Sequence, residues 1–336
     1  MTMLAADRRE RRAMPDLSPS LKAKLVDRAP ILIPVAMLVL LVAIYASLRE
    51  GVFTLDELNL DTAAALTLVL AATGQTIVLL RGGIDLSIGG TISLGTVLAA
   101  TQFRDDPAHV VLWTAIILVI GALVGVVNGV LITALRLQPF LVTLATWSIL
   151  SGTALIILPI DGGGLPAFWM AFGSGNWLGL SSAVWLLAVL VLFWVWFRRT
   201  RLGIAIRATG SNERSAFLSG VSPLGINIAT YALSGLFAAM AALYLTTQTG
   251  AGSPTIGKDY ILPSVAAAVI GGISLFGGRG GLIGTIIGAY ILTIIGNLVF
   301  VLSISSYWQP IVSGVILLIA VLASSIAERS ARRSLT

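Results

Sequence analysis

The chain has 336 residues, of which 57% are hydrophobic and only 11% are charged, and its mean hydropathy is +0.97. A soluble domain carries roughly 25% charged residues because its surface must be hydrated, so this composition excludes a water-soluble globular protein. The absence of cysteine excludes disulfides and thiolate metal sites, and the single histidine, His109, has no second histidine with which to bind a metal. The net charge of +6 comes from basic residues that flank apolar segments, which indicates a membrane surface as partner and not a nucleic acid.

Apolar segments follow one another along almost the whole chain. A transmembrane helix needs about 20 apolar residues, because the hydrocarbon core is ~30 Å thick and a helix rises ~1.5 Å per residue. The segments that meet or approach this length are 31–48, 62–80, 84–102, 110–135, 140–158, 182–197, 224–246, 261–275, 282–302 and 308–326. We therefore predict an all-α membrane protein, a polytopic bundle of about ten transmembrane helices with glycine-broken segments.

The basic residues give these spans a direction. If residues 1–29, a basic tail predicted to be disordered, are cytoplasmic, alternation of the spans leaves only Arg49, Arg104 and Lys258 on the outer side. This bias follows the positive-inside rule, so both termini are predicted to be cytoplasmic. The predicted organisation is the tail, a transmembrane domain at 30–327 and a second cytoplasmic tail at 328–336.

Two glycine-rich segments resemble each other. Residues 82–96, GGIDLSIGGTISLGT, and 271–285, GGISLFGGRGGLIGT, are identical at seven of fifteen positions, which either duplication or convergence explains. Both follow a span that turns back at its predicted cytoplasmic end. Unpaired backbone groups cannot face lipid, so these breaks must contact protein or line a wet cavity. The candidate helix breaks are Gly82, Gly83, Gly271 and Gly272.

Asp85 lies in the first glycine-rich segment. A carboxylate at the hydrocarbon centre costs roughly 2.5–3.5 kcal/mol, so we expect Asp85 near the membrane interface as the N-cap of a helix that starts at Leu86. Direct contact with a substrate is the alternative. Glycines 121, 125 and 129, and the GTIIG motif at 284–288, predict close helix packing.

Few polar residues interrupt the predicted spans. The candidates for a translocation path, besides the glycine breaks and Asp85, are Gln75, Ser87, Asn128, Thr143 and Asn297. Proton-driven transporters usually need a chain of Asp, Glu or His through the bilayer, which this sequence lacks. A neutral polar path fits a neutral solute.

The loops contain two further features. The outer loop at 159–181 is long and rich in glycine, and it is equally typical of a vestibule, a docking surface or a plain connector. Nearby Trp177, Trp185, Trp194 and Trp196 suit interfacial anchoring. The cytoplasmic loop at 198–223 predicts a short amphipathic helix from Asn212 to Ser219 that lies on the lipid surface or inserts into another subunit.

Three phrases, GGIDLSIGG, GSNERSAFLSG and GGISLFGGRGGLIGTIIGA, follow one another along the chain. In order and spacing they resemble the permease subunits of bacterial ABC importers for ribose, xylose, arabinose, galactose, galactofuranose and related sugars, over residues 30–326. The resemblance implies a permease in the bacterial inner membrane that takes up a sugar. A stand-alone secondary transporter of a small neutral polar solute is the alternative.

The same resemblance implies partners. They are an ABC ATPase with two fused nucleotide-binding domains, a second permease that is a copy or a relative, and a periplasmic sugar-binding protein. The loop would hold a coupling helix that docks into the ATPase, through Arg207, Gly210, Asn212, Glu213, Arg214, Ser215, Ala216, Ser219 and Gly220. This sequence departs from the family pattern at Arg214–Ser215, where small residues are usual, and at Phe217, where a polar residue is usual, which leaves the cognate ATPase open.

The sequence contains no motif for catalysis. TIGKDY at 255–260 has a Gly-Lys pair but neither the Ser or Thr nor the preceding glycine loop of a phosphate-binding motif. HExxH and GxSxG are also missing. We expect no metal, no cofactor and no enzymatic activity in this chain, with ATP hydrolysed on a separate subunit.

Overall fold

The computed structural model describes residues 19–305, 307, 308, 311, 312, 314, 315 and 318, with side chains from Ile31 onward. In this part the chain forms α-helices and one short hairpin. The helices are α1 (Pro19–Leu48), α2 (Leu55–Arg81), α3 (Ser87–Gln102), α4 (Pro107–Ala134), α5 (Pro139–Ile157), α6 (Ala167–Ser174), α7 (Ser182–Phe197), α8 (Arg201–Ser211), α9 (Glu213–Leu218), α10 (Pro223–Thr249), α11 (Lys258–Ile270) and α12 (Leu282–Val301); the hairpin pairs β1 (Asn176–Trp177) with β2 (Leu180–Ser181).

The structure confirms a polytopic helical membrane protein. Each of the first nine predicted spans coincides with a helix, and the tenth, 308–326, lies mostly outside the described residues. By length and composition, six described helices are apolar enough to cross a membrane, or seven if α7 and α8, which meet at 72°, form one broken span. Helices α3 and α11 have 16 and 13 residues. At ~1.5 Å per residue they are shorter than the ~30 Å hydrocarbon core.

The first helix begins earlier than predicted. Helix α1 starts at Pro19, so residues 19–29, predicted to belong to a disordered tail, are helical. Leu, Lys and Ala dominate this stretch and are strong helix formers. The stretch also continues directly into the apolar helix, so it does not have to nucleate a helix of its own. Residues 1–18 and 319–336 lie outside the described part, so the two tails are not otherwise tested.

Helix α2 lies at the centre of the bundle and α1 at its edge. The most apolar stretch of α2 is 89% buried, against 11% for α1. Helix α3 is also enclosed, since almost all of its residues are buried. These two helices are therefore surrounded by protein, as the glycine-broken backbone between them requires.

Glycines allow the closest helix contacts, as predicted. Gly121, Gly125 and Gly129 of α4 face the backbone of α10, and a side chain at Gly125 would overlap the Tyr231 carbonyl. Gly284 and Gly288 of α12 meet α11 in the same way. The expected helix packing is thus confirmed.

Two features near α7 add to the sequence predictions, and one of them corrects a prediction. The loop at 159–181 is folded onto the bundle: it contains α6 and the hairpin, and the Trp169 indole donates to Thr246 Oγ1 at 3.0 Å. Trp177, Trp185 and Trp196 are exposed as interfacial residues would be, but Trp194 is buried. Its side chain lies on the core face of α7 against Phe197, because residues 190, 194 and 197 follow the helical period.

Candidate functional site

The predicted amphipathic helix is present as α9, beyond the end of α7. Thr200 caps α8 by accepting from Gly203 N at 3.1 Å, and Asn212 caps α9 by accepting from Ser215 N at 2.9 Å. Gly220 follows α9 with φ +86°, a conformation that suits glycine and ends the helix. Both predicted boundaries of this helix are correct to within one residue.

Helix α8 lies between the two glycine-rich segments. The Leu80 carbonyl accepts from Gly278 N at 2.9 Å, so the end of α2 contacts the second segment directly. Gly210 of α8 packs against the same carbonyl, and a side chain there would overlap it. Arg207 Nη2 donates to Gly280 O at 3.3 Å. The prediction that both segments lie at the same end of the bundle is therefore correct, and we call this the α8 end.

Helix α9 is held by one face and exposed on the other. Glu213 forms an ion pair with Arg81 at 3.1 Å, in which the Arg81 side chain is 14% and the Glu213 side chain 54% exposed. Ala216 is buried, whereas Phe217 and Leu218 are 61% and 78% exposed. Arg214, Ser215, Ser219 and Gly220 are also exposed.

Asp85 is fully buried and belongs to a network of polar side chains. Its Oδ1 accepts from the backbone N and the Oγ of Ser87 at 2.9 and 2.5 Å, and its Oδ2 accepts from Ser234 Oγ at 2.7 Å. Asn128 Nδ2 donates to Ser87 Oγ at 2.9 Å, and Thr146 Oγ1 donates to Asn128 Oδ1 at 2.6 Å. We call these five residues the Asp85 network. It joins the α2–α3 break to α4, α5 and α10.

The register of the predicted cap was wrong by one residue. Helix α3 begins at Ser87, and Leu86 occupies the N-cap position without a side-chain hydrogen bond. The Asp85 carboxylate still accepts the Ser87 amide, in the two-residue Asx turn that Asp forms with its own backbone. The position of Asp85 relative to the membrane interface stays a prediction.

The structure brings together most, but not all, of the path candidates. Asp85, Ser87 and Asn128 are in the network, and Thr143 donates within α5 to Pro139 O at 2.9 Å. Asn297 lies elsewhere, since it donates to Asp61 Oδ1 at 2.8 Å near the start of α2. Sequence reasoning missed Thr146 and Ser234, because a single hydroxyl in an apolar helix gives no signal of its partner.

Gln75 differs from the other candidates. The residue is fully buried in α2, and neither its Oε1 nor its Nε2 has a hydrogen-bond partner. An unpaired buried amide is costly, so its two polar atoms have free capacity for a ligand or water.

A groove of about 610 Å³ opens at the α8 end, between the end of α2, the end of α4 and the starts of α5 and α10. Its polar lining includes Arg81, Arg136, Glu213, Asn227 and Tyr231. Among the described residues, no group of three or more His, Asp or Glu side chains could hold a metal ion.

Comparison with known proteins identifies the family. Residues 62–321 match the family described as "Branched-chain amino acid transport system / permease component". The ribose import permease protein of Bacillus subtilis (strain 168) is 38% identical over 274 residues, which cover 80% of this chain and 84% of the relative. That of Escherichia coli (strain K12) is 36% identical over 294 residues, covering 85% and 90%.

A third relative is named for the import of a different molecule. The autoinducer 2 import system permease protein of Escherichia coli (strain K12 / DH10B) is 33% identical over 285 residues, covering 83% of this chain and 82% of the relative. No solved structure matches the chain. These matches confirm the resemblance, first seen in three sequence phrases, to the permease subunits of ABC importers. The chain belongs to the family of transport-system permease components, and it is a permease and not an enzyme.

Proposed function

We propose that this chain forms the translocation path of an ATP-binding-cassette importer for a sugar, which a periplasmic binding protein delivers and a separate ATPase drives. The observation that carries the proposal is the position of α8 and α9. Helix α9 exposes a surface for a partner, while α8 contacts both breaks in the membrane helices. A displacement of α9 can therefore be transmitted through α8 to the interior of the helix bundle.

The proposed topology places the α8 end in the cytoplasm of a bacterial cell, with the permease as a multi-pass inner-membrane protein. Arg81, Arg136, Arg279 and the basic residues of 198–214 all lie at this end, which supports that orientation. In the ten-span arrangement, α3 and α11 are too short to cross the membrane alone, and each crosses it together with the non-helical residues next to it. The transmembrane domain spans 30–327, and the coupling loop is 198–223.

Docking of α9 into the ATPase uses its exposed face. Phe217 and Leu218 supply apolar area, and Arg214, Ser215 and Ser219 surround it with polar groups. Ala216 and the Arg81–Glu213 ion pair hold the opposite face against the bundle. The ATPase can shift the permease between outward-open and inward-open states only if it binds α9 differently in each.

The route from α9 to the interior has two branches. Helix α8 contacts Gly278 and Gly280 of the second segment and the Leu80 carbonyl before the first. Beyond Gly82 and Gly83, the Asp85 network continues to α4, α5 and α10. Gly271 and Gly272 connect the end of α11 to the rest of the second segment, as Gly82 and Gly83 connect α2 to the first. A change at α9 thus reaches helices on both sides of α2.

The proposed solute is a small neutral sugar of the ribose type. Relatives at 36% and 38% identity are named as ribose import permeases, and one at 33% as an autoinducer 2 import permease. The buried Gln75 amide, with both polar atoms unpaired, can bond a sugar hydroxyl without breaking an existing hydrogen bond. The proposed assembly contains a second permease and an ATPase with two fused nucleotide-binding domains.

The test is ATP-dependent uptake of labelled ribose by the reconstituted complex, compared with a Phe217→Asp, Leu218→Asp variant. We expect the variant to insert normally but to lose ATPase co-purification and uptake. Leu178→Asp, at an even more exposed leucine in the hairpin at the other end, is the control and should keep the ATPase. Uptake that needs no ATPase but requires a proton or sodium gradient would establish the secondary transporter instead.

Orientation has its own test. Because the chain has no cysteine, Phe217→Cys and Leu178→Cys each create a single labelling site. In intact cells a membrane-impermeant reagent should modify position 178 and not position 217. The reverse pattern would refute the proposed topology.

A further inference from the structure

The groove at the α8 end carries more positive than negative charge. Its lining includes two arginines, Arg81 and Arg136, and one acid, Glu213. Arg81 Nη2 contacts Glu213, but Arg81 Nε is buried and has no partner. The ion pairs among the described residues are Arg49–Glu57 and Arg81–Glu213, so Arg136 is unpaired there.

A tyrosine hydroxyl in the groove wall is also unpaired. Tyr231 is only 1% exposed, and it lines the groove beside Gly83, which its hydroxyl contacts. No hydrogen bond joins this hydroxyl to any described residue. The side chain as a whole is buried while its hydroxyl opens onto the groove, so the hydroxyl has a free donor for a ligand bound there. In contrast, Asn227 is already bonded, through Nδ2 to Thr133 Oγ1 at 2.9 Å.

Two long helices add to the positive potential. Helix α5 begins at Pro139 and α10 at Pro223, and both residues line the groove. The start of an α-helix carries a partial positive charge, which favours an anion. The N–H groups it offers here belong to residues after Pro139 and Pro223, because proline has none. Two guanidinium groups, a free hydroxyl and these helix starts together match a phosphate group, whose oxygens accept several charge-assisted hydrogen bonds.

We propose that this groove binds a phosphate group, carried either by the headgroup of an anionic phospholipid or by a soluble phosphate ester. The rim favours the lipid, because Leu137 and Leu224 also line the groove and are exposed. The site does not depend on the identity of the transported solute or on the docking of an ATPase. Its ligand-facing residues are Arg136 and Tyr231, and the Arg81 guanidinium lines the groove beside them.

The lipid is tested on the purified full-length chain in phosphatidylcholine nanodiscs with and without phosphatidylglycerol. Native mass spectrometry then counts the phosphatidylglycerol molecules retained per chain. Arg136→Gln should lower the retention about tenfold, as expected for loss of a hydrogen bond between charged groups. Arg104→Gln, at an exposed arginine between α3 and α4, is the matched control and should retain the wild-type amount.

A soluble ligand is tested by titrating inorganic phosphate into the protein in phosphatidylcholine alone. Saturable binding that Arg136→Gln removes and Arg104→Gln keeps would establish the soluble source. Retention of phosphatidylglycerol that phosphate does not displace would establish the lipid. Tyr231→Phe, which keeps the ring and its packing, should weaken whichever ligand binds by about threefold. Equal lipid retention by wild type, Arg136→Gln and Tyr231→Phe, with no saturable phosphate binding, would overturn the proposal.

Discussion

The two glycine-rich segments are similar in sequence but differ in structure. In the first, only 82–86 are outside a helix, and α3 begins at Ser87. In the second, the whole stretch 271–281 is outside a helix, and α12 begins at Leu282, the position aligned with Ser93. Gly277, Gly278 and Gly280 of the second segment have φ of +88°, +74° and +114°. The aligned residues Ile88, Gly89 and Thr91 are helical, and the glycines that replace Ile88 and Thr91 permit the positive φ of the longer break.

The segments share one local turn but use it differently. Ser274 Oγ accepts from Phe276 N at 3.2 Å, as Asp85 Oδ1 accepts from the aligned Ser87 N at 2.9 Å. Only Asp85 has a second oxygen, which reaches Ser234 on α10. Asp85 thus joins the first segment to the interior, while Gly278 and Gly280 join the second segment to α8. The similar sequences of the two segments produce the same local turn, whereas the contacts of each turn depend on the helices that pack beside it.

The largest expected effect is at the aligned pair Asp85 and Ser274. Asp85→Ala leaves three buried donors without an acceptor and should lower the free energy of unfolding by about 3 kcal/mol. Ser274→Ala removes one hydroxyl, which accepts from the exposed Phe276 N–H, instead of a carboxyl group that accepts from three buried donors, so the loss should be clearly smaller. Denaturant titrations of the two variants in detergent measure the difference. Equal losses would show that the Asp85 network contributes no more than the shared turn.

The next effect compares the aligned positions Gly280 and Thr91. Gly280→Ala forces a side chain into a left-handed conformation and against Ile273, and should cost about 2 kcal/mol. Thr91→Ala removes a buried hydroxyl that has no partner from the second turn of α3, so the stability of this variant should stay within ~0.5 kcal/mol of wild type or rise. Melting temperatures of both variants provide the measurement. A larger loss for Thr91→Ala would indicate a bond to that hydroxyl which the structure lacks.

A smaller effect separates near and distant members of the Asp85 network. Ser234→Ala removes a direct partner of Asp85 and Thr146→Ala a partner of Asn128. In double-mutant cycles with Asp85→Asn, we expect a coupling energy of about 1 kcal/mol for Ser234 and below ~0.5 kcal/mol for Thr146. Equal coupling energies would mean that the network acts as one unit instead of a chain of pairs.

Several features of this architecture could be predicted from the sequence because they depend on local chemistry. Apolar length identified the long membrane helices, glycine spacing identified α4 as a helix that packs closely against a neighbour, and Asn212 with Gly220 gave the limits of α9. Other features depend on partners distant along the chain. The bond from Ser234 to Asp85 joins residues 149 positions apart, and neither sequence neighbourhood refers to the other. Trp194 was misassigned for the same reason, since only the bundle determines which face of α7 is buried.

The smallest expected change in stability concerns the ion pair through which α9 contacts the first segment. Glu213 is half exposed and Arg81 is not, so the two single substitutions are not equivalent. Arg81→Gln leaves a hydrated carboxylate and should cost less than ~0.5 kcal/mol, whereas Glu213→Gln leaves a largely buried guanidinium and should cost up to ~1 kcal/mol. Salt at 1 M should reduce both values, because exposed charges are screened. Yet each variant frees α9 from the end of α2, so uptake should fall several-fold in both while stability barely changes. Uptake that follows stability alone would mean that α9 acts only through α8 and the second segment.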